Sequence, residues 1–377
     1  MMSSNSVFTA LELEQYNRHF KLQGFGMEKQ ARLKAARVLL IGAGGLGCPV
    51  GLYLAAAGVG TIGVVDDDRV DRSNLQRQIA HTVETLGQLK VDSLVEAMQS
   101  INPCLTYQKH PVRLGANNIA EMIQHYDLVL DGSDNFATRF LVADACFLEK
   151  IPLLQGAVFE YEAQLSLFLP DQGPCYRCVF PNPPGAQALA PCAEVGVLGV
   201  VPGTAGLMMA TEAIKYLTGM GASIHGKLLR YNALAQTLNT LTLSRNQQCA
   251  LCGENPTIVE PVESLMTCQT PNDREAFEIE AEAASALILK GVQLLDVRED
   301  FEFQAGHIPE AIHIPLGVLK AQIPHHLFNG EQPLLIYCQK GHRSLEAARI
   351  LRAQGYKPVY SLAGGLAGWT GPVRLPV

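Results

Sequence analysis

Between Val38 and Val65 the chain runs through VLLIGAGGLGCPVGLYLAAAGVGTIGVV without one charged side chain. An uncharged run of this length can cross a bilayer as a helix. It also holds eight glycines and Pro49, and each glycine costs a helix interior about 1 kcal/mol and a proline about 3 kcal/mol. A strand over Val38 to Ile41, a glycine turn, a helix ending near Gly58 and a second strand over Thr61 to Val65 fit it better. A weaker apolar run, Val195 to Ala210, is broken in the same way by Pro202 and its glycines. Within the turn, Gly42, Gly44 and Gly47, with Gly45 between them, match G-x-G-x-x-G behind a strand and at the head of a helix. Glycines there let the backbone approach phosphate oxygens, and the helix start supplies N–H donors and positive potential. Asp66 ends the next strand, where an acid can hold ribose hydroxyls. A nucleotide site follows, with NAD and ATP both open.

At 377 residues the chain predicts two or three domains. Hydrophobic residues at 48% and charged ones at 17% exclude disorder, collagen and coiled coil. Twenty-nine Lys and Arg against 36 Asp and Glu leave a net charge of −7. No overall basic field selects nucleic acid or an anionic membrane, so neither is expected as a partner and any bound anion is held locally. The opening residues lack a basic, then apolar, leader pattern. Ten cysteines are too sparse for a secreted disulfide scaffold. A cytoplasmic, reducing setting is expected, where patterned cysteines mean metal or sulfur chemistry.

Over residues 1–253, strand-like runs (VLLIGAG, TIGVVDDD, LTYQKH, DLVLDGSD, IPLLQGAV) alternate with helical patterns. The expected fold class is α/β, a Rossmann-like, doubly wound parallel sheet. Residues 254–276, rich in Pro, Glu, Thr and Asn, read as a linker. Residues 277–377, with VQLLDVR, AIHIPL, PLLIYC and PVYSL, read as a second, smaller α/β domain.

Past Asp66 comes a concentration of cations and amides: Arg69, Arg72, Asn74, Arg77, Gln78 and Lys90. A dinucleotide has only two phosphate charges to neutralise, whereas a triphosphate attacked at its α-phosphorus needs several cations around developing charge. The grouping favours ATP. Asp131 and Asp134 end another strand and could hold Mg²⁺ or cap the next helix. Gly221 to Lys227 nearly matches a Walker phosphate loop, but Leu228 stands where a Ser or Thr is needed. Gly219 and Gly221 fit the end of the helix TEAIKYLTG instead.

Two C-x-x-C pairs, Cys175/Cys178 and Cys249/Cys252, supply the four thiolates of a closed Zn²⁺ site. They lie too far apart for a zinc ribbon, so the ion would staple distant loops. Neither pair opens a helix in a thioredoxin-like setting. In LLIYCQKGHRSLEAARIL, a strand delivers Cys338 to a loop ending at Arg343, and a helix follows. Successive N–H groups, the helix start and Arg343 are all expected to lower the energy of an anion at that sulfur. Only four residues separate Cys338 from Arg343, one fewer than in a cysteine phosphatase, and the tighter loop suits a persulfide.

Residues 1–253 resemble the MoeB/ThiF family of ubiquitin-activating-like adenylyltransferases: QYNRHFKLQGFG, GAGGLG, DDDRVDRSNLQRQ, GQLK, LDGSDN, PCYRC and a second CxxC follow in the family's order. The resemblance implies that Asp66 binds ribose, that Arg77, Gln78 and Lys90 contact ATP phosphates, and that Asp134 acts with Mg²⁺. It implies that Arg18 reaches a neighbouring subunit's ATP site, which would make a homodimer. Cys192, in ALAPCAEVGVLG, matches the family's crossover-loop cysteine. The C-terminal region resembles a single rhodanese domain, with Asp296, Arg298, Gly306, His307 and Ile308 in place beside Cys338. Together these resemblances imply an enzyme that adenylates the C-terminal glycine of a ubiquitin-like sulfur-carrier protein ending in Gly-Gly. A Cys338 persulfide, loaded by a cysteine desulfurase or thiosulfate, would then thiolate it, with Cys192 a candidate for resolving the acyl disulfide. The resemblance leaves molybdopterin, thiamin, cysteine and tRNA thiolation pathways all open. An NAD-dependent oxidoreductase and a non-catalytic, zinc-stapled scaffold for the carrier are the competing readings.

Overall fold

The computed structural model describes residues 7–183, 196–261, 263, 277–321 and 332–375. The chain divides into two compact units, Met1–Met266 and Thr267–Val377.

In the first unit, helices α1 (Ala10–Gln15), α2 (Asn17–Phe20) and α3 (Gly26–Ala35) precede strand β1 (Arg37–Ile41). Helix α4 (Gly47–Ala57) follows and is stopped by Gly58 in the left-handed conformation, after which β2 (Thr61–Val65) begins. The alternation continues through α5 (Lys90–Ile101), β3 (Thr106–His110), α6 (Ile119–Ile123), β4 (Leu128–Asp131), α7 (Phe136–Leu148) and β5 (Leu153–Phe159). These five strands are parallel in the order β3-β2-β1-β4-β5. Both faces of β1 are covered: Val38 and Leu40 enter one buried cluster with Leu54, Leu94 and Met98, while Leu39 and Ile41 enter another with Val129, Ile123 and Phe140. Burial on both faces is why β1 reads as an unbroken apolar run rather than an alternating one.

The expected doubly wound parallel sheet is present through β5, and the sheet then continues beyond it. Strands β6 (Glu162–Phe168), β7 (Lys227–Asn232) and β8 (Thr237–Thr242) continue the sheet antiparallel, giving eight strands. Their turns carry no glycine signal. Glu160 (φ 50°) and Gln236 (φ 54°) adopt the left-handed turn conformation that Gly or Asn usually marks. Between β6 and β7 lie the short α8 (Tyr176–Val179) and the long α9 (Val200–Thr218), the latter ending at Gly219 as expected. Among the described residues, no helix is long and apolar enough to cross a membrane.

The second unit is a five-stranded parallel sheet, β9 (Glu278–Ile279), β10 (Gln293–Asp296), β11 (Ile312–His313), β12 (Leu334–Tyr337) and β13 (Val359–Leu362), in the order β11-β10-β12-β13-β9. Its helices are α10 (Ala281–Leu289), α11 (Asp300–Gln304), α12 (Leu316–Ala321) and α13 (His342–Ala353). Central β12 is wholly buried and ends at the buried Cys338.

One ion pair ties α7 to α8. Arg177 donates to both oxygens of Asp144 at 2.6 and 2.7 Å, with Asp144 at 0% and Arg177 at 9% side-chain exposure. Asp144→Ala leaves a buried guanidinium without its counter-charge and should cost about 3–5 kcal/mol. In urea denaturation, Asp144→Ala/Arg177→Leu should recover part of that loss. An Asp144→Ala midpoint equal to the parent's would contradict the pair's role.

Candidate active sites

Around β1 the strand order reverses, since β2 lies on one side and β4 on the other, and ligands of open α/β sheets bind at such a point beyond the strand ends. The glycine turns after β1 and β4 meet there: a Cβ on Gly42 (φ 90°) would lie 3.3 Å from the carbonyl oxygen of Gly132. A Cβ on Gly47 would lie 1.9 Å from the carbonyl oxygen of Gly42, so the loop closes on itself only with glycine. Leu46, before α4, gives the helix no side-chain cap; Cys48 N donates to Gly44 O at 2.9 Å and Pro49 has no N–H, so it is the N–H groups of the glycine turn itself that are suited to an anion. Gly45 lies against Pro202 in the first turn of α9, while Gly44 faces Gln78.

Asp66 is bound into this turn. Its Oδ2 accepts from Ala43 N at 2.8 Å and its Oδ1 from Asp68 N at 2.9 Å. Burial raises its pKa, and the charge of Lys90 opposes the shift. Lys90, almost wholly buried, donates to Asp68 Oδ2 at 2.7 Å. Arg77 Nη1 donates to Ser73 O at 3.0 Å, and Asn74 Oδ1 accepts from Asp71 N, holding the short helical turn that presents Arg77 and Gln78. Gln78 is 4% exposed and its Oε1 has no hydrogen-bond partner. An orphaned buried oxygen beside a glycine cradle fits a polar ligand.

The two aspartates after β4 separate. Asp131 is buried, accepts from Ser133 N at 2.9 Å through Oδ1 and leaves Oδ2 unpartnered; burial raises its pKa. Asp134 is exposed. Neither caps α7: Asn135 does, accepting from Thr138 N at 2.8 Å. Arg18 is exposed on α2. Cys192 lies outside the described residues.

His81 is a site residue that the sequence reading missed. Buried at the base of the glycine loop, it bonds Ala43 O through Nε2 at 2.9 Å and Ser93 Oγ of α5 through Nδ1 at 2.8 Å. A histidine 15 residues past Asp66 carries no spacing signal, so only the fold reveals it.

The two C-x-x-C pairs converge. Cys175 Sγ lies 3.5 Å from Cys249 Sγ and 3.8 Å from Cys178 Sγ, Cys178 Sγ lies 3.3 Å from Cys252 Sγ, and all four fall within 4.8 Å of one another. Sulfurs around a tetrahedral zinc with bonds of about 2.3 Å stand about 3.8 Å apart, so the cluster is compatible with that ion. Burial, together with the Cys252 sulfur, pushes the Cys175 thiol far up, a penalty that a divalent cation would relieve. Cys175 caps α8, but that helix has only four residues and the partners of Cys175 are the other thiols, so the setting is not thioredoxin-like.

In the second unit, Cys338 is 1% exposed. Its Sγ accepts from Gly341 N at 3.1 Å and faces Ser344 Oγ at 3.7 Å; Ser361 Oγ donates to Ser344 Oγ at 2.9 Å. Gly341 (φ 96°) caps α13, so loop and helix start converge on the sulfur as expected. Arg343, expected to favour an anion at the sulfur, is itself engaged by a carboxylate. Its guanidinium makes a two-point ion pair with Glu302 of α11, 2.6 and 2.7 Å long, because α13 turns that side chain toward α11. Arg298 pairs with Asp296 in the same way, donates to Gly306 O at 2.7 Å and reaches Gln339 of the loop at 3.3 Å. Ile308 N donates to Tyr337 Oη at 3.0 Å, and His307 stacks on Phe303.

The ThiF family model matches residues 16–251, and the rhodanese-like domain model matches residues 280–372. The chain is 38% identical over 380 residues to the probable adenylyltransferase/sulfurtransferase MoeZ of Mycobacterium tuberculosis, covering 97% of this chain and 94% of that one. It is 46% identical over 266 residues to the sulfur carrier protein adenylyltransferase of Thermus thermophilus, covering 69% and 98%. Among solved structures, E. coli MccB matches with a TM-score of 0.58 at 19% identity, covering 67% of this chain and 76% of that one, a likeness of fold alone.

Burial lowers the pKa of His81, so its neutral form is the folded one. The stability that this contact gives is complete above the ordinary histidine value of about 6.5 and is lost as pH falls below it. Between about pH 7.5 and about pH 5.5 the parent's melting temperature should therefore fall further than that of His81→Asn. Equal falls would contradict this role.

Proposed function

The chain belongs to the ThiF family and carries a rhodanese-like domain behind its ThiF region, and from that premise we propose how its two sites act in sequence. It is an adenylyltransferase and sulfurtransferase acting on a ubiquitin-like sulfur-carrier protein. The carrier's C-terminal glycine carboxylate attacks the α-phosphorus of ATP, pyrophosphate leaves, and an acyl-adenylate forms. The carbonyl carbon then carries AMP, a far better leaving group than oxide. A persulfide on Cys338 attacks that carbon through its terminal sulfur and expels AMP, giving an acyl disulfide. A thiol then attacks Cys338 Sγ, breaks the sulfur–sulfur bond and releases the thiocarboxylate with the electron pair. Cys192 is our candidate for that thiol, and an external dithiol returns the resulting disulfide to two thiols.

The Gly42–Gly47 turn and the start of α4 cradle the phosphates, Asp66 takes the ribose hydroxyls, and Arg77, Gln78 and Lys90 meet charge at the leaving pyrophosphate. Lys90 does so from its pairing with Asp68, which ATP phosphates would share or displace. Magnesium would neutralise phosphate charge, and the exposed Asp134 is the residue that would hold it. Zinc on Cys175, Cys178, Cys249 and Cys252 would be structural, because four thiolates leave no open position. Arg18 acts across a homodimer. The observation that carries this reading is the sheltered Cys338 sulfur under the Gly341 N–H and Ser344 hydroxyl, on one polypeptide with a glycine cradle. An oxidoreductase leaves that sulfur site unexplained, and a scaffold explains neither site.

With a carrier ending in Gly-Gly, isotopic pyrophosphate exchange should require ATP and Mg²⁺. Asp134→Ala should lower exchange by about a hundredfold or more, and Arg18→Ala should weaken it sharply. Cys338→Ala should keep exchange and lose thiocarboxylate. Undiminished exchange in Asp134→Ala, or thiocarboxylate from Cys338→Ala at the parent rate without free sulfide, would refute these roles.

Elemental analysis of never-chelated protein should find one zinc per chain. Cys178→Ser should release it and lower the melting temperature, since ion binding is coupled to folding. Protein free of zinc as purified would defeat that assignment.

A further inference from the structure

In the glycine turn, both backbone groups of Ala43 are gripped by side chains. Its N–H donates to Asp66 Oδ2 at 2.8 Å. Its carbonyl oxygen faces His81 Nε2 at 2.9 Å, with Cys48 Sγ a weaker donor at 3.5 Å. A carbonyl oxygen only accepts, so the histidine nitrogen in that bond carries the hydrogen. In the neutral ring Nδ1 is then an acceptor, and the Ser93 hydroxyl of α5, 2.8 Å away, supplies its hydrogen. His81 N in turn donates to Gln78 O at 3.1 Å. The segment that presents Arg77 and Gln78 therefore also delivers His81 beneath the turn.

A trans peptide is planar, with its C=O and N–H on opposite edges. Holding Ala43 O toward His81 thus turns the N–H of the same peptide, that of Gly44, away from His81. Among the described residues that N–H has no backbone acceptor. Gly44 and Gly45 border the cation and amide side chains: a Cβ on Gly44 would lie 3.6 Å from Gln78 Nε2, and one on Gly45 3.6 Å from Arg77 Cγ. Glycine imposes little preference of its own on φ and ψ, so the peptide's orientation has to be set from outside.

Resting on the reading of the glycine turn as the phosphate site for ATP, we propose that His81 is a positioning residue that fixes the Ala43–Gly44 peptide so that the Gly44 N–H donates to a phosphate oxygen. His81 itself touches no substrate. The contact it sets is with phosphate, so its loss weakens ATP and leaves adenosine unaffected. A hydrogen bond to a charged oxygen changes affinity by about tenfold or more. The two amide side chains separate the two ends of the ring. Asparagine at position 81 reaches as far as Nδ1 and keeps Ser93, whereas glutamine reaches as far as Nε2 and keeps a donor to Ala43 O.

The experiment titrates full-length protein with ATP and Mg²⁺, and separately with adenosine, by calorimetry. His81→Asn should raise the Kd for ATP by about tenfold and change that for adenosine less than about twofold. His81→Gln should bring the ATP value back to within about threefold of the parent's, which a general loosening of the fold would not allow. In the parent, with glycine labelled by nitrogen-15, the Gly44 amide proton should move downfield when ATP is added and stay in place with adenosine; this readout needs no substitution. An unchanged Kd for ATP in His81→Asn, an equal loss for ATP and adenosine, or a Gly44 amide unmoved by ATP overturns the role of His81 alone. A parent that binds adenosine and ATP equally well overturns both this inference and the phosphate reading on which it rests.

Discussion

The first unit depends on one close backbone approach, Gly47 against the carbonyl oxygen of Gly42. A methyl group on Gly47 would stand 1.9 Å from that oxygen, nearer than any non-bonded carbon tolerates, so the turn between β1 and α4 exists only with glycine there. Everything at the nucleotide end is built on that turn. Asp66 is bonded to Ala43 N, His81 grips Ala43 O from below, and Gly132 lies against Gly42 from the next strand. The turn is sited by β1, whose burial on both faces fixes it in the middle of the sheet. Packing therefore positions the glycine turn at the head of α4.

The sulfur end uses the same device with different chemistry. A buried central strand again delivers a residue, Cys338, to a turn before a helix, and Gly341 in the left-handed conformation lets its N–H reach Cys338 Sγ at 3.1 Å. At the glycine-turn end, Lys90 pairs with Asp68. At the sulfur end Arg298 and Arg343 likewise pair with Asp296 and Glu302, and Cys338 Sγ meets a backbone N–H and a hydroxyl.

Both domains were legible in the sequence where chemistry and backbone demanded the same residue types at fixed spacing. The glycine turn, the strand before it and the C-x-x-C pairs are of that kind, and the thiols of Cys175 and Cys249 meet although 74 positions separate them. What escaped was set by tertiary packing. The antiparallel strands β6 to β8 turn at Glu160 and Gln236, residues that give no turn signal. His81 is recruited only because α5 passes beneath the loop, and Arg343 is drawn to Glu302 across 41 positions of chain. No local pattern encodes either contact.

The central claim is that sulfur held on Cys338 becomes the sulfur of a thiocarboxylate on an adenylated carrier. The most direct measurement loads Cys338 with isotopically heavy sulfur, removes the free donor, and adds ATP, Mg²⁺, a reductant and a Gly-Gly carrier. Carrier mass and AMP are then followed together in one turnover. The account predicts one heavy sulfur in the carrier for each AMP released, with Cys338 returned to its thiol. Release of AMP while the heavy sulfur stays on Cys338 would contradict it.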